Sequence, residues 1–311
     1  MSVKQIILAN PRGFCAGVDR AINIVEKSLE KYGAPVYVRH EVVHNKYVVD
    51  GLKARGAVFI EEIKDVPEGS ILIYSAHGVP LAVREEAQAK NLTMIFDATC
   101  PLVSKVHVEI KNLHRQGYTL IMIGHKGHPE VEGTMGQVSG HIHLIENEAD
   151  IATLPVSRAI EKIAVVTQTT LSVDETKAII QNLQAEFINL RLPKNEDICY
   201  ATQNRQDAVK AMAKSCDVVV VIGSKNSSNS NRLKELAENL GVTAYLIDFD
   251  FEIKAQWLDG VTNVGVTAGA SAPEVLVAGV IKKLQGFGFN TTQTLNVVEE
   301  HLTFALPSGL R

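Results

Sequence analysis

The chain reads DATCP at residues 97–101, where a cysteine and a proline open a helical pattern. Proline suits the first position of a helix, and apolar residues at helical spacing continue as far as Leu113. Cys100 therefore stands at a strand-to-helix junction. Cys15 and Cys199 precede similar helical patterns, so the junction is predicted three times along the chain.

The segments that follow the three cysteines share one order of features. Each cysteine is followed by a helix, a strand and a polar loop, and then by a glycine that opens another strand. The spacing from each cysteine agrees to within one or two residues. The aligned positions are His44, His128 and Ser227 in the loops, and Gly56, Gly140 and Gly241 before the next strands. A further strand in each segment ends in a second polar turn, at 75–77, 167–170 and 267–271.

Short β-branched runs alternate with amphipathic helices, which predicts the α/β class with parallel strands. The predicted strands lie at 6–9, 36–38, 71–74, 120–123, 164–166, 218–222 and 264–266, and the loop 226–231 is expected to cap a helix over 232–240. We expect three similar α/β lobes around a pseudo-threefold axis. Lobe 1 covers 17–99 with Cys15 at its entry, lobe 2 covers 100–195, lobe 3 covers 196–285, and 286–311 form a C-terminal tail.

Composition excludes several classes of protein. The 311 residues are 46% hydrophobic and 21% charged, which is unlike a disordered chain or a disulfide-stapled miniprotein. The formal net charge of −4 offers no general attraction to nucleic acid. The N-terminus lacks the features of a secretion signal, and the longest apolar runs are too short to span a bilayer. We therefore expect a cytoplasmic protein with no membrane or nucleic-acid partner.

The repeat divides the four cysteines into three and one. Cys216 has no counterpart in the other repeats and is expected to be a buried hydrophobic residue. Cys15, Cys100 and Cys199 each lie at the N-terminus of a helix, which favours a thiolate. Three convergent thiolates suggest zinc or an iron–sulfur cluster with an open coordination site, and their spacing does not choose between the two.

The polar loops at the strand ends predict an anion site. Neutral and histidine donors suit a compact anion such as a diphosphate: His44, His77, His128, Ser227, Ser228, Asn229 and Ser271. The nucleotide-binding patterns GxxxxGK[ST] and GxGxxG are absent from the sequence. Glu130 is the carboxyl group that we expect to donate a proton, since burial near an anion raises the pKa of a carboxyl.

Nine motifs closely resemble those of the 4-hydroxy-3-methylbut-2-enyl diphosphate reductases, iron–sulfur enzymes of the non-mevalonate isoprenoid pathway. They are NPRGFCAGV (10–18), RHEVVHN (39–45), SAHG (75–78), DATCP (97–101), GHPEVEG (127–133), TQTT (167–170), ICYAT (198–202), GSKNSSNS (223–230) and AGAS (268–271). The resemblance covers roughly residues 5–285 at near-identical spacing, and the tail matches least.

The resemblance implies a 4Fe-4S cluster on Cys15, Cys100 and Cys199, with one iron lacking a protein ligand, at the centre of a three-lobed α/β trefoil. It implies that the first strand, within residues 1–16, packs with lobe 3. It also implies reductive dehydroxylation of the allylic diphosphate to isopentenyl and dimethylallyl diphosphate by two electrons. The seven anion-site residues would hold the diphosphate, and Glu130, Thr169 and His128 would serve catalysis, with Thr169 also contacting substrate. The electron donor would be a protein such as flavodoxin or ferredoxin, and we expect a monomer.

Two other functions use the same residues. A zinc-dependent hydrolase or lyase acting on a small diphosphate would use the three thiolates as metal ligands. A non-enzymatic module could bind a diphosphate metabolite with the cysteines incidental. Iron, sulfide and a visible absorption band distinguish both from the reductase.

Overall fold

The structure is a computed structural model that describes residues 3–193 and 196–311. The chain forms two compact units. Unit 1 contains the described residues up to Asp19, together with His44–Gly51 and Tyr200–Thr303. Unit 2 contains Arg20–Val43, Leu52–Cys199 and Phe304–Arg311. Within the described ranges, none of the helices has the length and apolar character needed to cross a membrane.

The described residues contain both strands and helices in alternation. The strands are β1 Gln5–Asn10, β2 Val36–Arg39, β3 Ala57–Ile60, β4 Ile71–Tyr74, β5 Met94–Asp97, β6 Thr119–Ile123, β7 Ile142–Ile145, β8 Ile163–Thr167, β9 Leu190–Arg191, β10 Val218–Ile222, β11 Thr243–Ile247, β12 Asn263–Ala268 and β13 Thr291–Asn296. The α-helices are α1 Ala16–Tyr32, α2 Lys46–Ala54, α3 Leu81–Ala89, α4 Pro101–Arg115, α5 Pro129–Met135, α6 Asp150–Thr153, α7 Val173–Glu186, α8 Tyr200–Ala213, α9 Ser228–Asn239 and α10 Glu274–Gly286. Short 3-10 helices cover Ile63–Asp65, Asp250–Glu252, Ala255–Leu258 and Ser308–Leu310.

Three parallel sheets repeat one strand order. Unit 2 contains the sheets β3-β2-β4-β5 and β7-β6-β8-β9, and unit 1 contains β11-β10-β12-β1-β13. The strand after each cysteine-led helix, β2, β6 or β10, takes the second place in its sheet. The strand that precedes a cysteine takes the fourth place in its sheet: β5 precedes Cys100, β9 precedes Cys199, and β1 precedes Cys15. The predicted α/β class with three similar parallel sheets is confirmed, while the lobe boundaries stay a prediction.

Burial on both faces explains why the strands are nearly continuous apolar runs. In the sheet of unit 1, Ile6 and Val220 pack into one apolar cluster, together with Leu284 of α10. Ile7 and Val219 point to the opposite face and pack with residues of α8 and α9. Because side chains alternate along a strand, helices cover both faces of this sheet.

The predicted start of one helix is wrong, and the predicted C-terminal tail contains a strand. The helix expected over 232–240 begins earlier, because Ser227 is the N-cap of α9 and its Oγ accepts a hydrogen bond from the backbone N–H of Ser230. The tail also contributes to the fold. Its strand β13 pairs with β1 in parallel, with Ile6 opposite Thr292, although β13 is polar and mostly exposed.

Candidate functional site

Each of the three predicted cysteine ligands lies immediately before a helix. Cys15 precedes α1, Cys100 is the N-cap of α4, and Cys199 precedes α8. All three are partly exposed and form no disulfide with another described cysteine. The N-terminal end of a helix therefore lies beside each of the three residues, as the sequence repeat predicted.

The backbone amide of each cysteine bonds to the polar turn that follows the third strand of a sheet. The amide of Cys100 donates to the Ala76 carbonyl after β4 at 2.9 Å, and that of Cys199 donates to the Thr169 carbonyl after β8 at 3.0 Å. The amide of Cys15 donates to the Ala270 carbonyl after β12 at 3.3 Å. The repeat seen in the sequence therefore extends to the hydrogen bonds that fix each cysteine.

The cysteines are divided between the units, with Cys15 in unit 1 and Cys100 and Cys199 in unit 2. Their convergence on one centre stays a prediction. Among the residues that the structure describes, there is no group of three His, Cys, Asp or Glu side chains arranged to hold a metal ion.

Cys216 differs from the other cysteines in its surroundings. It packs with the apolar cluster on the α8 and α9 side of the sheet in unit 1. Burial raises the pKa of its thiol to about 12, and the nearby Asp217 adds to the rise. Cys216 therefore has the expected apolar neighbours, but it is only partly buried, like the other three cysteines.

Unit 1 brings together five of the seven predicted anion-binding residues around the turn after β12 and the start of α9. The Oγ of Ser271 donates to the His44 carbonyl at 2.8 Å. The Oδ1 of Asn229 accepts from the Ala270 amide at 2.9 Å. Ser227, Ser228, Asn229 and Ser271 are buried. The region therefore combines hydroxyl and amide groups with the N-terminus of a twelve-residue helix, a combination suited to an anion.

Two glycines allow α9 to approach the ends of its strands closely. A Cβ on Gly223, after β10, would overlap the hydroxyl of Ser230, and so would a Cβ on Gly269, after β12. Ser230 is fully buried and its hydroxyl bonds to the Ser227 hydroxyl at 3.0 Å. Because neither glycine has a side chain, the first turn of α9 can lie close to the ends of β10 and β12.

Unit 2 places the remaining predicted residues on the loops after β4, β6 and β8. Glu130 lies in the first turn of α5, and its backbone amide donates to Nδ1 of His128 at 3.1 Å, which leaves the proton of a neutral His128 on Nε2. The rings of His77 and His128 meet edge to face, with centroids 5.7 Å apart. Nδ1 of His77 lies 3.2 Å from the Ser75 hydroxyl. The loops therefore hold both histidines and the carboxyl in one region.

The carboxyl group of Glu130 is 3% exposed and is bound by Thr169. Its Oε1 accepts from the Thr169 amide at 2.6 Å, and its Oε2 accepts from the Thr169 hydroxyl at 3.1 Å. Burial raises the pKa of Glu130 to about 7 despite these two bonds, which lower it, and the charge of Asp197 adds to the rise. Glu130 is therefore able to hold or release a proton near neutral pH.

Asp197 is a buried acid of this region that the sequence reasoning missed. Its side chain is completely buried, and Oδ2 accepts from the Thr167 amide at 3.1 Å, within the same turn as Thr169. Burial is the main cause that raises its pKa to about 7. The equivalent positions before the other two cysteines are Gly13 and Ala98, so the repeat gave no signal for this acid.

Comparison with known proteins supports one family. A model of the LytB protein family matches residues 6–285. The chain is 62% identical over 308 residues to the 4-hydroxy-3-methylbut-2-enyl diphosphate reductase of Chromobacterium violaceum, covering 99% of this chain and 98% of the relative. It is 60% identical over 311 residues to the reductase of the same name from Azoarcus sp. (strain BH72), covering 100% and 99%.

A solved structure has the same fold. The E-1-hydroxy-2-methyl-but-2-enyl-4-diphosphate reductase from Plasmodium falciparum superposes with a TM-score of 0.95 at 40% identity, covering 99% of this chain and 97% of that one. The parallel α/β sheets and these relatives define the class of protein as an oxidoreductase. The chain belongs to the LytB protein family. None of the relatives named here is a zinc hydrolase or lyase, so that alternative has no support.

Proposed function

We propose that the chain catalyses the reductive dehydroxylation of 4-hydroxy-3-methylbut-2-enyl diphosphate to isopentenyl diphosphate and dimethylallyl diphosphate. The observation that carries the proposal is the cysteine junction repeated three times, together with one buried carboxyl whose pKa is about 7. The names of the curated relatives supply the substrate. The three-lobe division of the chain, 17–99, 100–195 and 196–285, belongs to this proposal.

Cys15, Cys100 and Cys199 would hold a 4Fe-4S cluster. The donor set fits this group because three partly exposed thiols at helix N-termini are soft ligands, which iron–sulfur clusters take. A cubane normally takes four cysteines, so three leave one iron without a protein ligand. When bound, the cluster would supply single electrons and a Lewis acid for the hydroxyl group of the substrate.

The diphosphate would be held by the seven predicted anion-binding residues. His44, Ser227, Ser228, Asn229 and Ser271 belong to unit 1, and His77 and His128 belong to unit 2. These side chains bind mainly through neutral hydrogen-bond donors, and the N-terminus of α9 adds backbone N–H groups. Fixing the diphosphate would orient the hydroxyl end of the substrate for the reaction.

Glu130 would supply protons to the reaction. Replacing C–OH by C–H consumes two electrons and two protons, one proton leaving in water and one remaining on carbon. A carboxyl with a pKa near 7 is poised to transfer protons at neutral pH. Thr169 would hold this carboxyl in place through its amide and hydroxyl groups, and His128 would fix the backbone of Glu130.

The reaction also implies a one-electron donor outside the chain. We infer that a small redox protein such as flavodoxin or ferredoxin supplies the electrons, to a monomeric enzyme in the cytoplasm. A titration of the anaerobic holoenzyme with either protein tests the donor.

Turnover by the anaerobically purified protein tests the proposed function. With a chemical reductant and 4-hydroxy-3-methylbut-2-enyl diphosphate, we expect both five-carbon diphosphates as products. Cys100→Ser should abolish turnover, whereas Cys216→Ser should retain it. Release of inorganic phosphate or diphosphate without reduction by the native protein would contradict the proposal.

A further inference from the structure

A basic residue follows each predicted cysteine ligand by about one and a half helical turns. These residues are Arg20, Lys105 and Arg205, which stand five, five and six residues after Cys15, Cys100 and Cys199. Each lies in the helix that its cysteine precedes. The repeat therefore includes a cation that the sequence reasoning did not identify.

Each cation bonds to the backbone just before another cysteine of the set. Arg20 donates to the carbonyl of Thr99 at 3.2 Å and to that of Asp97 at 3.3 Å, immediately before Cys100. Its Nε also donates to the Ala305 carbonyl at 2.9 Å. Arg20 therefore holds the loop that carries Cys100.

The other two cations follow the same rule. Lys105 donates to the Glu196 carbonyl at 3.2 Å, three residues before Cys199. Arg205 donates to the Gly13 carbonyl at 2.7 and 3.0 Å and to the Phe14 carbonyl at 3.3 Å, just before Cys15. The helix after Cys15 thus fixes the loop before Cys100, and the helix after Cys100 fixes the loop before Cys199. The helix after Cys199 in turn fixes the loop before Cys15.

The three cations differ in how their charges are balanced. Arg205 is completely buried and pairs with Glu300, at 3.0 Å from Nη1 to Oε1. Lys105 has the carboxyl of Asp197 at 3.8 Å. These two cations therefore have an acidic group beside them.

Arg20 makes no direct ion pair with an acid of the described residues, although the charge of Asp97 acts on it. All three hydrogen bonds of Arg20 go to neutral carbonyl groups, and no carboxylate of the described part of the chain lies within ion-pair distance of its guanidinium. The carboxylate of Asp97 is taken up by Arg84 at 2.7 Å. Partial burial is the main cause that lowers the pKa of Arg20, while the charges of Asp97 and Cys100 act in the opposite direction. A partly buried cation gains from a nearby anion, and Cys100 follows directly after Thr99, whose carbonyl accepts a hydrogen bond from Arg20.

We propose that the net charge left on these three cations sets the reduction potential of the cluster, with Arg20 raising it and Glu300 cancelling the effect of Arg205. This inference rests on the proposed function, since it requires a cluster on the three cysteines. Reduction adds a negative charge to a centre already bound by thiolates, so a nearby uncompensated cation stabilises the reduced form more than the oxidised form. The hydrogen bonds of Arg20, Lys105 and Arg205 to the cysteine loops hold these charges beside the cysteines.

A redox titration of the anaerobic holoenzyme, followed by its electron paramagnetic resonance signal, tests the proposal. Arg20→Gln should lower the midpoint potential. At the applied potential that reduces half of the native cluster, less than half of the cluster in the variant should then be reduced. Glu300→Gln should raise it, because Arg205 then keeps an unbalanced charge. Arg20→Lys should stay close to the native potential. Arg55→Gln is a matched control, because Arg55 pairs with Glu26 and both side chains are partly exposed to solvent.

Opposite shifts in Arg20→Gln and Glu300→Gln support the proposal, since general structural damage would not move the potential in two directions. Unchanged potentials, or shifts of the same sign, would overturn it. If Arg20→Gln loses its iron, the midpoint potential of Glu300→Gln alone tests the proposal. A potential of Glu300→Gln that is unchanged or lower than the native value would contradict it. Absence of iron and sulfide from the native protein would instead contradict the proposed function.

Discussion

Thr169 connects the buried carboxyl of Glu130 to a predicted cluster ligand. Its amide and hydroxyl bond to the two oxygens of Glu130 at 2.6 and 3.1 Å, while its carbonyl accepts the amide of Cys199 at 3.0 Å. One residue thus fixes the proposed proton donor and the backbone of a predicted cluster ligand. In the proposed mechanism, the proton donor and one cluster ligand are therefore both held by the turn that follows β8.

Glu130→Gln should slow turnover by about 100-fold or more, because the amide keeps the shape of the carboxyl but does not donate a proton in its place. Iron content and substrate binding should match those of the native protein. Steady-state kinetics with a chemical reductant, together with iron analysis, measure both. A kcat near the native value would remove Glu130 from the proton path.

Thr169→Ala should move the alkaline limb of the kcat profile to higher pH. The Thr169 hydroxyl stabilises the ionised form of Glu130, so its loss raises the pKa of that carboxyl above about 7. Turnover then persists to a higher pH before the proton is lost. Thr169→Ser retains a hydroxyl group and should keep the native profile. A limb that stays in place or moves to lower pH in Thr169→Ala would contradict this assignment.

Gly269→Ala and Gly223→Ala should both raise the KM for the diphosphate substrate, because each new Cβ displaces Ser230 and the first turn of α9. Gly51→Ala is a control, since a Cβ there meets no atom within 4 Å.

The two glycines respond differently to a second substitution. Adding Ser230→Ala removes the hydroxyl group but keeps the Cβ of residue 230. This should rescue Gly269→Ala, because the new Cβ at position 269 would lie 3.2 Å from the Cβ of residue 230. It should not rescue Gly223→Ala, because the new Cβ at position 223 would lie only 2.6 Å from the same atom. Equal rescue of both double variants would show that contact with Ser230 is not the cause.

Cys216→Ser should keep the native iron content but lower the stability of the protein by about 1–2 kcal/mol, because a hydroxyl group replaces sulfur in an apolar cluster. Cys100→Ser should instead lose its iron, and the stability of its apoprotein should fall by less than that of Cys216→Ser. Thermal unfolding and iron analysis of both variants give the comparison. Loss of iron from Cys216→Ser would overturn the division of the cysteines into three and one.

Local patterns in the sequence predicted much of the fold. The strand expected at 218–222 is β10, and the glycines at 56, 140 and 241 precede β3, β7 and β11 as expected. These features depend on apolar runs and turn residues that lie close together in the chain. The junctions at Cys15, Cys100 and Cys199 were predictable for the same reason.

Features that depend on distant contacts were not predictable from local patterns. The polar strand β13 carries no apolar pattern, and it is a strand because β1 offers a free edge of the sheet. The partner of Arg205 lies 95 residues away at Glu300, in the tail that carries no motif. Burial, which raises the pKa of Asp197, is likewise set by tertiary packing.

Anaerobic analysis of iron and acid-labile sulfide, with a visible absorption spectrum, tests the central claim most directly. The account predicts about four iron and four sulfide per native chain, with a broad visible band that is lost in Cys100→Ser and kept in Cys216→Ser. A native protein that binds zinc with no iron, sulfide or visible band would contradict it.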